Sequence, residues 1–138
     1  MNDTWRSGEP LRTRLLAAGA AALTVAVALG VRAGATGVPG AVEKYAGDAL
    51  YTVLLHTLVV LAAPRVKPLV AAGVALATSW AVEFSQLSPV PGELSARSTL
   101  ARLILGSTFN APDLFWYLVG ALVAWLAHTS LRDGLTPR

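Results

Sequence analysis

Residues 80–117, WAVEFSQLSPVPGELSARSTLARLILGSTFNAPDLFWY, decide how this chain is read. They leave one apolar segment through Glu83-Phe84-Ser85-Gln86 and cross a Pro/Gly-broken connection carrying Glu93, Arg97 and Arg102. They then enter a second apolar segment through Phe109-Asn110-Ala111-Pro112-Asp113. A carboxylate inside a segment of membrane-spanning length is costly, and it faces a partner or a polar cavity rather than lipid. Glu83 is such a carboxylate, and Gln86, three residues later, shares its helical face. The connection has its own pattern: residues 88–92 stop the helix, and from Ser95 the chain becomes amphipathic. Leu100, Leu103 and Ile104 share one face, Arg97 and Arg102 are polar, and Gly106 is a stop signal. About ten residues cannot span a bilayer, so a short interfacial or re-entrant helix is expected over 95–105.

Outward from this stretch, composition sets the class. The 138 residues are 54% hydrophobic and 14% charged, with a mean hydropathy of +0.56. A soluble domain carries about 25% charged residues, so this chain lacks the polar groups to cover a globule. Apolar stretches run at about 15–31, 49–63, 69–86 and 114–131. The expected fold is all-α: a single integral membrane domain over 1–138, a polytopic four-helix bundle with the short helix between the third and fourth spans. The first stretch repeats Ala18, Ala22, Ala26 and Gly30, a small-residue face for close helix approach. It also resembles a signal segment ending at Ala33-Gly34-Ala35, but its apolar run is too long for one, so a retained helix is expected. Residues 32–47 read as a Gly/Pro loop, and 64–68 (Pro-Arg-Val-Lys-Pro) as a tight turn between antiparallel neighbours. On the third stretch Ala71, Ala75, Ser79 and Glu83 form one stripe, which points Glu83 into the bundle.

Charge and chemistry narrow the function. The isoelectric point near 9.8 comes from eleven basic residues scattered at segment ends, which argues against a nucleic-acid partner. Seven of them (Arg6, Arg12, Arg14, Arg65, Lys67, Arg132, Arg138) fall on one side of a four-span topology, and four (Arg32, Lys44, Arg97, Arg102) on the other. The positive-inside rule then puts both termini in the cytoplasm of a cell's inner membrane, with the acids near the external face. The absence of cysteine excludes disulfides and thiolate sites. Two distant histidines make no metal site, and neither a phosphate-binding Gly-rich loop nor a nucleophile elbow is present, so no cofactor is implied.

The candidate pocket consists of Asp48, Glu83, Gln86, Arg97, Asp113 and Tyr117, with Lys44, Tyr45, His56, Arg102 and Asn110 as support. An unpaired buried carboxylate would cost several kcal/mol, so Arg97 is expected within salt-bridge reach of Glu83 or Asp113. Structural roles compete with binding roles at several positions. Asn110, Pro112 and Asp113 fit an N-cap, a first-turn proline and a capping-box acid, and Asp48 fits an N-cap for the stretch starting at 49. Phe115, Trp116 and Tyr117 fit an interfacial aromatic belt. His56 could relay protons, although a hydrogen bond to Thr52 or a neighbouring helix accounts for it more simply.

A set of motifs runs in order: residues 44–51 (KYAGDALY), Glu83-Phe84-Ser85-Gln86-Leu87, Arg97-Ser98-Thr99, residues 105–109 (LGSTF), and Asp113-Leu114 followed by Tyr117 and Gly120. As a group it resembles the domain-of-unknown-function 2809 family, small four-helix bacterial membrane proteins sometimes labelled ribosomal-maturation proteins. The order of the Glu-x-x-Gln pair, the loop arginine and the Asp-x-x-x-Tyr-x-x-Gly run is also similar to VanZ-like proteins, which are associated with glycopeptide resistance. This chain departs from the family pattern at residues 88–92, where aromatics are usual, and at Tyr51, where tryptophan is common. The resemblance implies a cell-envelope role.

The leading expectation is a non-enzymatic protein whose external pocket binds an anionic lipid or a lipid-linked envelope-precursor head group. Arg97 would hold the phosphate or carboxylate, and Glu83, Gln86 and Asp113 would orient Arg97 and bond ligand hydroxyls or amines. The alternatives are an enzyme using Glu83 or Asp113 as general acid/base, a proton-coupled carrier using Asp48, His56 and Glu83, and a structural accessory subunit.

Overall fold

The computed structural model of the protein describes residues 4–34, 37 and 39–135, with side chains from residue 9 to residue 134. Ala35 and Thr36 around the signal-like segment, Val38 of the expected turn, the Arg6 side chain and Arg138 lie outside the described residues. The described residues form helices and no strands: α1 (Thr4–Arg32), α2 (Gly40–Ala62), α3 (Pro68–Ser85), α4 (Val90–Arg97), α5 (Thr99–Leu105) and α6 (Ala111–Leu135). Four of them are long and apolar enough to cross a membrane, over Glu9–Arg32, Gly40–Ala62, Pro68–Ser85 and Ala111–Gly134. Leu23, Leu69 and Phe115, which a soluble protein would cover, are exposed on their outer faces. This is an all-α membrane protein.

Helix α2 lies at the centre and packs on α1, α3 and α6, while α6 also packs on α3. The turn between α2 and α3 closes through Val66 N–H donating to Ala63 C=O at 2.9 Å, and Pro68 starts α3 where its missing N–H is no loss. At the same end Arg14 Nε donates to Leu61 C=O at 3.1 Å and Arg132 Nη1 to Val66 C=O at 3.5 Å. Ala17, Val60 and Ala71 join α1, α2 and α3 in one apolar cluster. Midway along the bundle, the Thr52 and Ser79 hydroxyls bond to each other at 2.8 Å, both fully buried. A polar pair satisfied internally is what a membrane interior demands.

Several boundaries differ from the sequence reading. Helix α2 begins at Gly40, nine residues before the apolar stretch, so 40–47 is helix and not loop. Apolarity marks where a helix enters lipid, whereas a helix ends only where backbone hydrogen bonding is broken. Pro39, extended at φ −58° and ψ 149°, is that break, and Gly47 inside the helix costs only about 1 kcal/mol. Asp48 is therefore inside α2 and is not its N-cap. The packing face of α1 is also displaced. Ala17 and Thr24 are buried, whereas Ala18, Ala22 and Ala26 are exposed. A strict four-residue row drifts about 40° per step on a 3.6-residue helix, so it rotates away from the single main neighbour of α1. On α3 the four-residue stripe stays buried throughout, with Ala71, Ala75, Ser79 and Glu83 at 0–1% exposure. Helix α3 packs on α2 and on α6, and the stripe winds from the Val60 cluster of α2 to Tyr117 of α6.

The connection expected to hold one helix over 95–105 holds two. Ser98, extended at φ −145° and ψ 126°, separates α4 from α5, and its hydroxyl caps α5 by accepting from Ala101 N–H at 3.3 Å. Pro91 and Gly92, helix breakers by sequence, lie in the first turn of α4, where proline fits. Gly106 ends α5 at φ 64°, as its sequence context predicts.

Candidate functional site

The site forms where the polar first turns of α2 meet the start of α6 and the end of α3. Two consequences of sequence bring these elements together. First, Lys44 and Asp48 are spaced i, i+4 on α2, so they share a face, with Lys44 Nζ 3.4 Å from Asp48 Oδ2. Second, Gly120 lets α6 touch the α2 backbone, since a Cβ there would run into the Ala49 carbonyl. Asp113 and Tyr117 lie one to two turns before Gly120, on the stretch of α6 that reaches the Lys44 end of α2.

A connected network follows. Lys44 Nζ reaches Asp113 Oδ1 at 2.5 Å, bridging Asp113 to Asp48. Asn110 Nδ2 donates to the same Asp113 oxygen at 2.7 Å. The backbone N–H of Asn110 donates to Glu83 Oε1 at 2.6 Å, and Tyr117 OH donates to Glu83 Oε2 at 2.9 Å. Glu83, Asp113 and Tyr117 are 1%, 5% and 6% exposed. Glu83 thus takes the role expected of Asp113. It reaches from α3 to the N–H of the residue that starts α6, while Asp113, in the first turn of α6, turns to Lys44 instead. The N-terminal dipole of α6 favours both carboxylates.

Above the network lies a cavity of about 820 Å³, lined by Lys44, Asp48, Glu83, Gln86, Asp113 and Tyr117. Its apolar side comes from α1 (Val25, Leu29) and α5 (Leu100, Leu103, Ile104). Gln86 holds the α5 end in place, its Nε2 donating to Leu105 C=O at 2.6 Å. Ser95 Oγ donates to Gly106 C=O at 2.7 Å, and Arg102 Nη2 to Ser95 C=O at 3.1 Å. A Cβ at Gly106 would fall 2.7 Å from Gln86 Nε2, so a side chain there would displace Gln86 from Leu105, and the positive φ favours glycine. Gln86 Oε1 is buried without a hydrogen-bond partner.

Sequence reasoning misplaces some of these residues. Arg97 is exposed at the end of α4 and is not among the cavity-lining residues. The ion pairs of Asp48 and Asp113 go to Lys44, and Glu83 is satisfied by neutral donors, so the expected pairing of Arg97 with Glu83 or Asp113 does not form. Helix α4 is a separate element that packs on α5, and Arg97 in its last turn stays exposed. Arg102 braces the α4–α5 elbow. Tyr117 turns inward to Glu83 and leaves the aromatic belt, while Tyr45 stacks on Trp116 with ring centroids 5.1 Å apart, a second clasp between α2 and α6. His56 does not bond Thr52 and does not line this cavity. Its Nε2 pairs with His128 Nδ1 at 3.0 Å, nearer the other end of the bundle. What sequence reasoning misses is Lys44 as the central cation. Its i, i+4 spacing to Asp48 is a helical signal, but it falls in a segment whose polarity and glycines suggest a loop.

Comparison with known families matches residues 38–121 to the model described as "Protein of unknown function (DUF2809)". The chain belongs to this family. In this DUF2809 protein the matched segment takes in α2 to α5 and the first part of α6, hence the whole carboxylate network and Gly120, and leaves α1 outside. No curated protein and no solved structure matches the chain.

Proposed function

We propose that this protein binds the polar head of a membrane amphiphile, a lipid or a lipid-linked cell-envelope precursor, in the carboxylate cavity. The observation that carries this reading is an imbalance of charge. Asp48, Glu83 and Asp113 face one lysine, Lys44, which is shared between two of them. Asp48 is held less closely by the lysine than Asp113 is, with Lys44 at 3.4 Å and the Asp113 carboxyl as its other neighbour. Carboxylates withdrawn from water demand donors, so the missing partner is an ammonium or hydroxyl group on the ligand. The anionic part of such a head has Lys44 and Arg32, both in the cavity lining. The apolar wall from α1 and α5 suits the start of a lipid chain, and the volume falls within the range of about 300–1,000 Å³ of small-molecule sites.

With Arg97 outside the pocket, donor groups on the head, rather than its phosphate, make the main contacts. The basic asymmetry along the chain supports an inner-membrane protein with both ends and the 64–68 turn in the cytoplasm and this cavity facing outward.

The test is to extract and identify by mass spectrometry the amphiphiles that co-purify with the wild-type chain and with Asp48→Asn. An amine- or hydroxyl-bearing amphiphile retained by the wild type and depleted about tenfold in the variant is expected, roughly the 1.4 kcal/mol of one charge-assisted hydrogen bond. Equal retention by both would overturn the reading.

A further inference from the structure

At the opposite end of the bundle, between α1, α2 and α6, lies a second cavity of about 520 Å³. It is built differently at two depths. Arg12 of α1 and Arg65 of the α2–α3 turn stand at its mouth, with Glu9 as the acid in the lining. Arg132 of α6 reaches the same mouth, where it donates to Val66 C=O. The deeper half is lined by Ala17, Ala20, Val53 and Ala124. From Arg12 to Ala20 is eight residues of helix, about 12 Å, a depth that suits the upper part of an acyl chain.

Between the two levels sits the His56–His128 pair, with ring centroids 5.2 Å apart and edge-to-face. His56 is 3% exposed, and its Nδ1 is buried without a partner. Two neutral imidazoles carry two N–H groups, and the bond between them uses one. Whichever ring donates, the pair is left with one N–H, on His56 Nδ1 or on His128 Nε2, and a membrane interior requires that donor to find an acceptor. The histidines lie about one turn below Arg132, counting His128 to Arg132 on α6. A phospholipid places its ester carbonyls at such a depth below its phosphate.

We propose that this second cavity binds one anionic phospholipid of the adjoining leaflet. Arg12 and Arg65 hold its phosphate head, His56 Nε2 donates to His128 Nδ1 so that the spare N–H on His128 Nε2 donates to an ester carbonyl, and one acyl chain fills the alanine-lined inner half. This site is separate from the carboxylate cavity in its position along the bundle and in its sign of charge. Its failure would leave the reading of that cavity untouched.

The test is native mass spectrometry of the full chain in detergent, titrated with phosphatidylglycerol or with phosphatidylcholine of the same chains. Phosphatidylglycerol should bind about tenfold more tightly, and Arg12→Gln combined with Arg65→Gln should remove that preference, as expected for two interfacial arginines. Ala20→Phe, an exposed position whose ring would fill the inner half, should weaken both lipids, and Ala20→Met serves if the phenylalanine variant does not fold. Equal binding of the two lipids by the wild type would overturn the proposal. Loss in the arginine variant alone would reduce the effect to surface attraction without chain insertion, and loss in Ala20→Phe alone would make it a neutral acyl groove. Either result contradicts the site as described.

Discussion

The two ends of this bundle use the same helices for opposite purposes. Near the α5 end, α2 and α6 are in backbone contact at Ala49 and Gly120. There they present carboxylates to one lysine beneath a cavity of about 820 Å³. At the other end α6 reaches α2 through a histidine pair instead, α1 forms the third wall, and the mouth carries arginines. The comparison shows that the charge of the interior is set by which residues the helix crossing brings together, not by the net charge of the chain. A chain of formal charge +3 builds its most connected polar site out of acids.

The comparison also ranks the ways to break the molecule. The largest effect is expected from Gly120→Val, since the β-branched side chain would meet the Ala49 carbonyl and the backbones must separate. Overpacking of that kind costs about 3 kcal/mol or more when the obstacle is main chain, and thermal unfolding in detergent should report it. The same variant should abolish ligand retention by the carboxylate cavity while leaving lipid binding at the arginine end less affected. Next comes Glu83→Ala, which strands the Asn110 N–H and the Tyr117 hydroxyl in a buried setting. A loss of about 2–4 kcal/mol is expected for two unsatisfied donors, with Glu83→Gln losing about half because its amide oxygen still accepts one of them. Smallest is Arg97→Ala. Exposed on α4, it should change stability by less than about 0.5 kcal/mol and leave the amphiphiles bound, and a larger change would mean that the arginine belongs to the site after all.

How much of this was legible follows from the kind of signal each residue gives. Glu83 could be located because an acid in an apolar run, on a stripe of small residues, must face the bundle interior to avoid lipid, and it is buried there. The short element between the third and fourth spans was legible from its amphipathic pattern, although not its division at Ser98, which depends on one extended residue. Membership in the family was legible because the motifs occur in order along most of the matched segment. The role of Lys44 was not, because the start of α2 is polar and apolar length was the guide to its boundary. The Asp113–Lys44 bond joins positions 69 apart, and no local spacing encodes that. Nor could sequence show that Arg97 stays exposed and unpaired with these acids, since its long side chain was compatible with either of them.

The most direct test of the account is a crossed measurement of lipid selectivity in the wild type, Asp48→Asn and the double variant Arg12→Gln with Arg65→Gln. Phosphatidylethanolamine serves as the amine-headed probe and phosphatidylglycerol as the anionic one, both followed by native mass spectrometry on the full chain. Asp48→Asn is predicted to lose phosphatidylethanolamine and keep phosphatidylglycerol, and the arginine variant to do the reverse. If either variant lowered both lipids equally, the two ends would not be separate sites of opposite charge, and the account would be wrong.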